Sequence, residues 1–289
     1  MDFVIAGLIM GGLYALIAQG FVLTFLTTRT LNFALGEFIV LGAVIGLGVG
    51  SWGWLPDAGK VAFVILAVGI LGAIVYRFLV LPFTTEGPHD ARWLLSTVGL
   101  SFVILNLLTN SQGATPKALG YGGFGEFSTV LGVRVTTQAL VIAILAIAIT
   151  ALLVLMTTRT PLGLLMRAVS EDADTAALMG VSPRRIGMLA YAIAMGIAAL
   201  AGVLWASQVG VSVNMGLPLL VAAFACGVIG GLTSLWGPLL GGAIYGVLTH
   251  WASFELGGVW GETAGLLLVV VVLIFRPEGL LGRRLEAKL

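Results

Sequence analysis

Residues 157–187 read TTRTPLGLLMRAVSEDADTAALMGVSPRRIG, the longest break in an otherwise apolar sequence. Arg159, Arg167, Glu171, Asp172, Asp174, Arg184 and Arg185 fall here, seven of the 27 charged residues (14 basic plus 13 acidic). Apolar segments long enough to cross a bilayer flank the stretch on both sides. It is therefore expected to be a structured loop at a membrane surface. Its local chemistry predicts a short helix over 170–180. Ser170 is expected to cap the start, with Glu171 and Asp172 at the positive end of the dipole. Gly180 is expected to stop the helix in the left-handed conformation. Ser182 should cap a second helix, with Pro183 in its first turn, that runs on into the next span. Ala176 and Ala177 are small and let a partner approach closely. A short helix held between two spans is placed to exchange force with something outside the membrane.

The composition around this loop is that of a polytopic membrane protein. The 289 residues are 59% hydrophobic and 9% charged, with a mean hydropathy of +1.11; a soluble domain carries about 25% charge. The net charge of +1 leaves no basic surface that points to nucleic acid. Glycine is abundant, at 41 residues, which favours close helix packing in lipid. Cys226 is the single cysteine, so no intrachain disulfide forms. The first apolar run is too long for a signal peptide and is expected to be a retained span. His89 and His250 show no metal-ligand spacing, and no catalytic set or cofactor motif stands out. No phosphate-binding G-x-x-x-x-G-K-[ST] is present, so any ATPase is expected on another chain.

The fold class expected is all-α: one membrane domain, 1–289, built as a helical bundle of about 8–10 spans with a weak internal repeat. Nine apolar stretches of roughly the ~20 residues needed to cross can be marked. They are 3–26, 33–50, 61–81, 94–111, 137–156, 187–207, 217–235, 237–256 and 260–275. With 157–187 in the cytoplasm, eleven basic residues lie inside: Arg29, Arg77, Arg92, Arg159, Arg167, Arg184, Arg185, Arg276, Arg283, Arg284 and Lys288. Only Lys60, Lys117 and Arg134 lie outside. The positive-inside rule then puts the N-terminus outside and the C-terminus in the cytoplasm. The outer loop 113–136, with Gly120, Gly122, Gly123 and Gly125, is either a contact surface for a delivered substrate or a connector. The turn Thr233–Pro238 is predicted inside yet carries no charge, so 217–256 is either two spans or a re-entrant pair. LNFALGEFIVLGAVIG (31–46) and MGLPLLVAAFACGVIGG (215–231) resemble each other as broken segments followed by small-residue runs. Matched broken segments point to a transporter's central pathway.

Six polar residues are pathway candidates: Gln19, Asn32, Glu37, Thr97, Ser101 and Asn214. Glu37 lies one turn into a predicted span, where a carboxylate faces protein or water. It either lines the pathway, pairs with Arg29, or serves as a helix-start acid behind an Asn32 cap. Thr97 and Ser101 are four apart and share a face; hydrogen bonds between helices are the alternative role for the polar set. Glycines spaced by four, such as Gly7/Gly11 and Gly242/Gly246, predict close helix contacts.

Three stretches carry a family resemblance. The pattern R-A-x-x-x-D-x-x-x-A-x-x-x-G-[VI], here Arg167, Ala168, Asp172, Ala176, Gly180 and Val181, resembles the cytoplasmic loop of branched-chain amino-acid ABC permeases. LNFALGEF, residues 31–38, is similar to that family's NFAHGEF signature, with Leu35 in place of its usual His. FRPEGLLGRR, residues 275–284, resembles its FRPxGLFGR ending. The resemblance, to the H-type subunit, covers most of the chain; residues 82–93 and the outer loop match poorly. It implies a bacterial inner-membrane permease subunit of an ATP-driven importer, with branched-chain or related amino acids as cargo. It also implies a second related permease, two ATP-binding cassette subunits and an external solute-binding protein. Residues 157–187 would then hold the helix that docks on the ATPase, with Arg167, Ser170, Glu171, Asp172, Ala176, Ala177 and Gly180 as coupling residues. The competing class is a self-contained secondary transporter or channel, which predicts ion-coupling acids inside the bundle.

Overall fold

The computed structural model describes residues 2–84, 92–113, 115–120, 127–130 and 133–282. Expectations for His89, Gly122, Gly123, Gly125, Arg283, Arg284 and Lys288 lie outside the described residues. The chain folds as helices α1 (Asp2–Thr28), α2 (Leu35–Gly50), α3 (Asp57–Val75) and α4 (Arg92–Gln112), then strands β1 (Phe127–Val130) and β2 (Val133–Thr136). Helices α5 (Thr137–Arg159), α6 (Pro161–Glu171), α7 (Ala173–Leu178), α8 (Pro183–Val209), α9 (Gly216–Gly230), α10 (Gly237–Glu255) and α11 (Gly258–Phe275) follow. Helices dominate because a backbone in lipid has no water to bond and must satisfy its own N–H and C=O groups.

Each of the nine apolar stretches holds a helix, and among the described residues seven helices are long and apolar enough to cross a membrane. At 1.5 Å per residue, the 16 residues of α2 span about 24 Å, short of the ~30 Å hydrocarbon core. Helix α10, with Thr249, His250, Ser253 and Glu255 in its second half, is not among the seven. The β1–β2 pair is an antiparallel hairpin inside the expected outer loop. Proline shapes two features. Pro82 lacks the N–H that would bond the Phe78 carbonyl, and the chain widens into a π-helical turn, Tyr76–Val80, just ahead of it. Thr160-Pro161 and Ser182-Pro183 start α6 and α8, each with proline in the first turn.

The residues cluster into two compact units, and α1, α5 and α9 each run from one into the other. One unit comprises residues 1–22, 124–154 and 221–289. Here α1 lies on α10 at the expected glycines: a Cβ on Gly7 would come within 2.6 Å of Val247 Cα, and one on Gly11 would strike the Gly242 carbonyl. Tyr14 meets Tyr245 edge-on at 5.5 Å between ring centres. Hydrogen bonds hold the uncharged 231–236 turn, in which Gly231 and Leu235 are buried and Trp236 is exposed. Gln19 Nε2 donates to the Leu235 carbonyl at 2.9 Å and to Thr150 Oγ1 at 2.8 Å. The C-terminal segment covers the end of α9, where the Leu280 and Leu281 N–H groups donate to the Ile229 and Gly230 carbonyls at 2.9 Å. Orphan carbonyls of a helix end are thus capped from 51 residues away in sequence.

The other unit comprises residues 23–123 and 155–220, with α8 at its centre. Small residues let α2 and α3 close onto α8. Gly42 faces Ala199, Gly202 faces the Ile39 backbone, and Gly72 faces Met195 and the Tyr191 carbonyl. Fully buried Tyr191 packs on Tyr76, with ring centres 4.8 Å apart, and its hydroxyl shares a 3.1 Å hydrogen bond with Thr30. Helix α4 packs against α2 and against the 3₁₀ turn Val213–Met215.

Candidate functional site

The 157–187 stretch is more helical than a loop with one short helix. Thr160 caps α6 by accepting from the Gly163 N–H at 3.2 Å. Gly163 has no room for a side chain, because a Cβ there would strike Met156 and Thr157, so α6 folds tightly back on the end of α5. Ser170 is therefore in the last turn of α6 and is not the expected cap. Asp172 is the cap of α7: its Oδ1 accepts from the Asp174 and Thr175 N–H groups at 3.1 and 2.9 Å, and its Oδ2 from the Thr175 hydroxyl at 2.7 Å. A carboxylate that captures two orphan N–H groups and a hydroxyl outcompetes a serine two residues earlier. Glu171 closes α6, the end that disfavours a negative charge, rather than opening a helix.

The expected stop at Gly180 is present, with φ +84°. The Gly180 N–H donates to the Ala177 carbonyl and the Val181 N–H to the Ala176 carbonyl, both at 3.0 Å. That is the double bond pattern of a Schellman ending. Ser182 holds the cap position of α8 without a side-chain hydrogen bond.

Ala176 does not face outward. It is buried against Met166, Val169, Ile186 and Ala190, a small apolar core beneath the loop, with Met156, Leu162, Val181 and Ile193 around it. Ala177 is exposed, and beside it Leu178 and Met179 are 88% and 81% exposed. The loop thus has a packed underside and an apolar tip, with Arg167 exposed on α6. Sequence reasoning passed over Leu178 and Met179; their position directly before a left-handed glycine was the available signal.

Arg29 joins this loop to the segment behind it. Its Nε donates to the Ser170 carbonyl at 3.2 Å, in the last turn of α6. Arg29 itself has φ +56°, a conformation that costs a non-glycine residue about 1–2 kcal/mol. It is not paired with Glu37, which corrects that alternative. From Arg29 the chain runs through Thr30 to Asn32, whose Oδ1 accepts from the Ala34 N–H at 3.0 Å just ahead of α2.

The pathway candidates do not form one cluster. Gln19 belongs to the first-described unit, where it is wholly buried and ties α1 to α5 and the 231–236 turn. The other five lie in the second unit. Thr97 is buried and bonds the Leu94 carbonyl at 3.0 Å, Ser101 is half-buried, and Asn214 is exposed. Asn32 and Glu37 are buried. Glu37 sits where the two broken segments meet: a Cβ on Gly36 would lie 2.5 Å from the Gly216 carbonyl oxygen, and one on Gly216 would lie 3.0 Å from Glu37 Oε1. The starts of α2 and α9 cross glycine to glycine. Among the described residues, no group of three metal-ligating side chains comes together.

Residues 3–276 match the family model described as branched-chain amino acid transport system / permease component. The chain is 31% identical to the high-affinity branched-chain amino acid transport system permease protein BraD of Pseudomonas aeruginosa, over 96% of this chain and 94% of that one. It is 28% identical to the corresponding protein LivH of Escherichia coli, with the same coverage. It is 29% identical to LivM of Escherichia coli, over 81% of this chain but 58% of that longer one. A chain of the solved structure of PsaBC from Streptococcus pneumoniae in complex with Fab superposes with a TM-score of 0.51 at 12% identity, covering 96% of this chain and 93% of that one, a likeness in fold alone. A family match spanning residues 3–276 and a relative 31% identical over 96% of its length show that this chain belongs to the branched-chain amino acid transport system permease family.

Proposed function

We propose that the chain is the H-type membrane-spanning permease subunit of an ATP-driven importer for branched-chain or related amino acids. The family match over residues 3–276 carries the reading. The full-length similarity to LivH, against partial similarity to the longer LivM, supports the H-type assignment. The whole chain, 1–289, works as one membrane domain beside a second, related permease subunit. Two ATP-binding cassette subunits dock on the cytoplasmic side, and an external solute-binding protein delivers the amino acid. The N-terminus is outside and the C-terminus in the cytoplasm, a reading that the distribution of basic residues supports. Residues 157–187 hold the docking surface. Its contact is the α7 tip, where Ala177, Leu178 and Met179 are exposed, and its underside passes motion to α5 and α8 through the Met166–Ala176–Ile186 core. Arg29, anchored to the Ser170 carbonyl, carries the same motion toward α2.

The test is uptake by reconstituted vesicles. The complete complex should accumulate L-leucine or L-valine only with ATP and the solute-binding protein present. The chain alone should neither hydrolyse ATP nor take up either amino acid under an ion gradient. Ion-driven uptake by the single chain would establish the self-contained transporter instead.

A further inference from the structure

Glu37 is a carboxylate in an unusual position. It is 5% exposed, and its Oε2 is buried with no hydrogen-bond partner among the described residues. The hydrogen bond from its own backbone N–H to the Ala34 carbonyl does nothing for the side chain. A buried acceptor left without a donor costs about 1–3 kcal/mol, and more when charged. Such a group persists where something outside the chain completes it.

The surroundings are built around it. Glu37 is in the first turn of α2 and against the first residue of α9, a helix of 15 residues. Gly216 is held bare at that point: a Cβ there would meet Glu37 Oε1 at 3.0 Å, Val40 Cγ2 at 3.0 Å and the Gly36 carbonyl at 3.1 Å. Two helix starts, both stripped to glycine, thus converge on one unpartnered carboxylate. Helix starts favour negative charge, so the arrangement suits a carboxylate whose counter-charge arrives from elsewhere. No donor among the described residues reaches Glu37 Oε2, so no described side chain fills that part for it.

We propose that Glu37 binds the ammonium group of the transported amino acid as it passes the crossing of α2 and α9. The inference rests on reading the chain as an amino-acid importer permease. An ammonium supplies three N–H donors and a compensating positive charge, the two things the Oε2 position lacks. Neutral amides and deaminated acids offer no such charge, so the site selects small zwitterions.

The experiment uses the complete complex with its solute-binding protein, reconstituted in vesicles. Wild type, E37Q and E37D are compared for ATP-dependent uptake of radiolabelled L-leucine and L-valine, and for melting temperature in detergent. Gln keeps the size of Glu and removes its charge. E37Q is expected to assemble, to melt at the wild-type temperature or higher, and to lose about tenfold or more of its uptake. E37D, which keeps the charge, should recover a measurable part. Uptake by E37Q at the wild-type rate overturns the assignment. So does loss of uptake with a melting temperature several degrees lower, since that marks a packing role. Failure of wild type to take up either amino acid overturns the amino-acid reading itself, and the Glu37 assignment with it.

Discussion

Gly180→Val is expected to abolish the coupling of ATP hydrolysis to uptake in the assembled complex while leaving insertion and folding intact. Gly180 ends α7 at φ +84°, and no atom lies within 4 Å of where its Cβ would be. Crowding is therefore not the problem; the backbone conformation is. A left-handed residue with a Cβ costs about 1–2 kcal/mol, and β-branched side chains suffer most. That is too little to unfold a domain worth 5–15 kcal/mol, and enough to favour a different turn locally. Relaxing the turn breaks the Gly180–Ala177 and Val181–Ala176 hydrogen bonds and re-aims Leu178 and Met179. Asn tolerates this conformation, so Gly180→Asn should retain most coupling. Ala177→Trp should also abolish substrate-stimulated ATPase activity, because Ala177 is exposed at the proposed contact. Wild-type ATPase activity and uptake in both Gly180→Val and Ala177→Trp would reduce the loop to a connector.

Gly36→Ala should be strongly damaging, and Gly48→Ala on the same helix should be harmless. A Cβ at 36 would sit 2.5 Å from the Gly216 carbonyl oxygen, 3.0 Å from its carbon and 3.0 Å from Leu220 Cβ. Two of these atoms are backbone and cannot rotate away, so α2 and α9 must separate. Overpacking of this kind costs about 1–3 kcal/mol, occasionally more. Gly48 has nothing within 4 Å, and replacing a helical glycine by alanine there should stabilise by roughly 0.5–1 kcal/mol. Thermal unfolding in detergent checks the pair: Gly36→Ala should melt below wild type and lose uptake, Gly48→Ala at or above it.

Much of this was legible locally. The polar break at 157–187, the left-handed stop at Gly180 and the proline start of α8 follow from residue chemistry within a few positions. Thr160-Pro161 carries the same signal as Ser182-Pro183, and reading both would have divided the loop into α6 and α7. Choosing Asp172 over Ser170 as a cap was harder, since both residue types cap well; the Thr175 hydroxyl decided it. Contacts distant in sequence were not legible. That Gly36 meets Gly216, or that Leu280 caps Ile229, depends on which helix each faces, and spacing by four identifies a face without naming its partner. The broken segments at 31–46 and 215–231 were recognised as alike, yet only the fold brings their glycines together. Charge allows Arg29 to pair with Glu37 as one alternative, but the end of α6 offers carbonyls that a guanidinium satisfies equally well. The sequence does not fix the exact number of spans, because an apolar stretch does not show where its helix starts, and α2 begins at Leu35 within the stretch 33–50.

Docking of the ATPase on the α7 tip is open to crosslinking. A photoreactive residue placed at Leu178 in the complete complex, in native membranes, should crosslink to an ATP-binding subunit. The same residue at Leu152, exposed on α5 within the span, should not. Because that subunit is cytoplasmic, the product would also place 157–187 inside. Absence of any protein crosslink from Leu178 in a complex that imports amino acid at the normal rate would contradict the account.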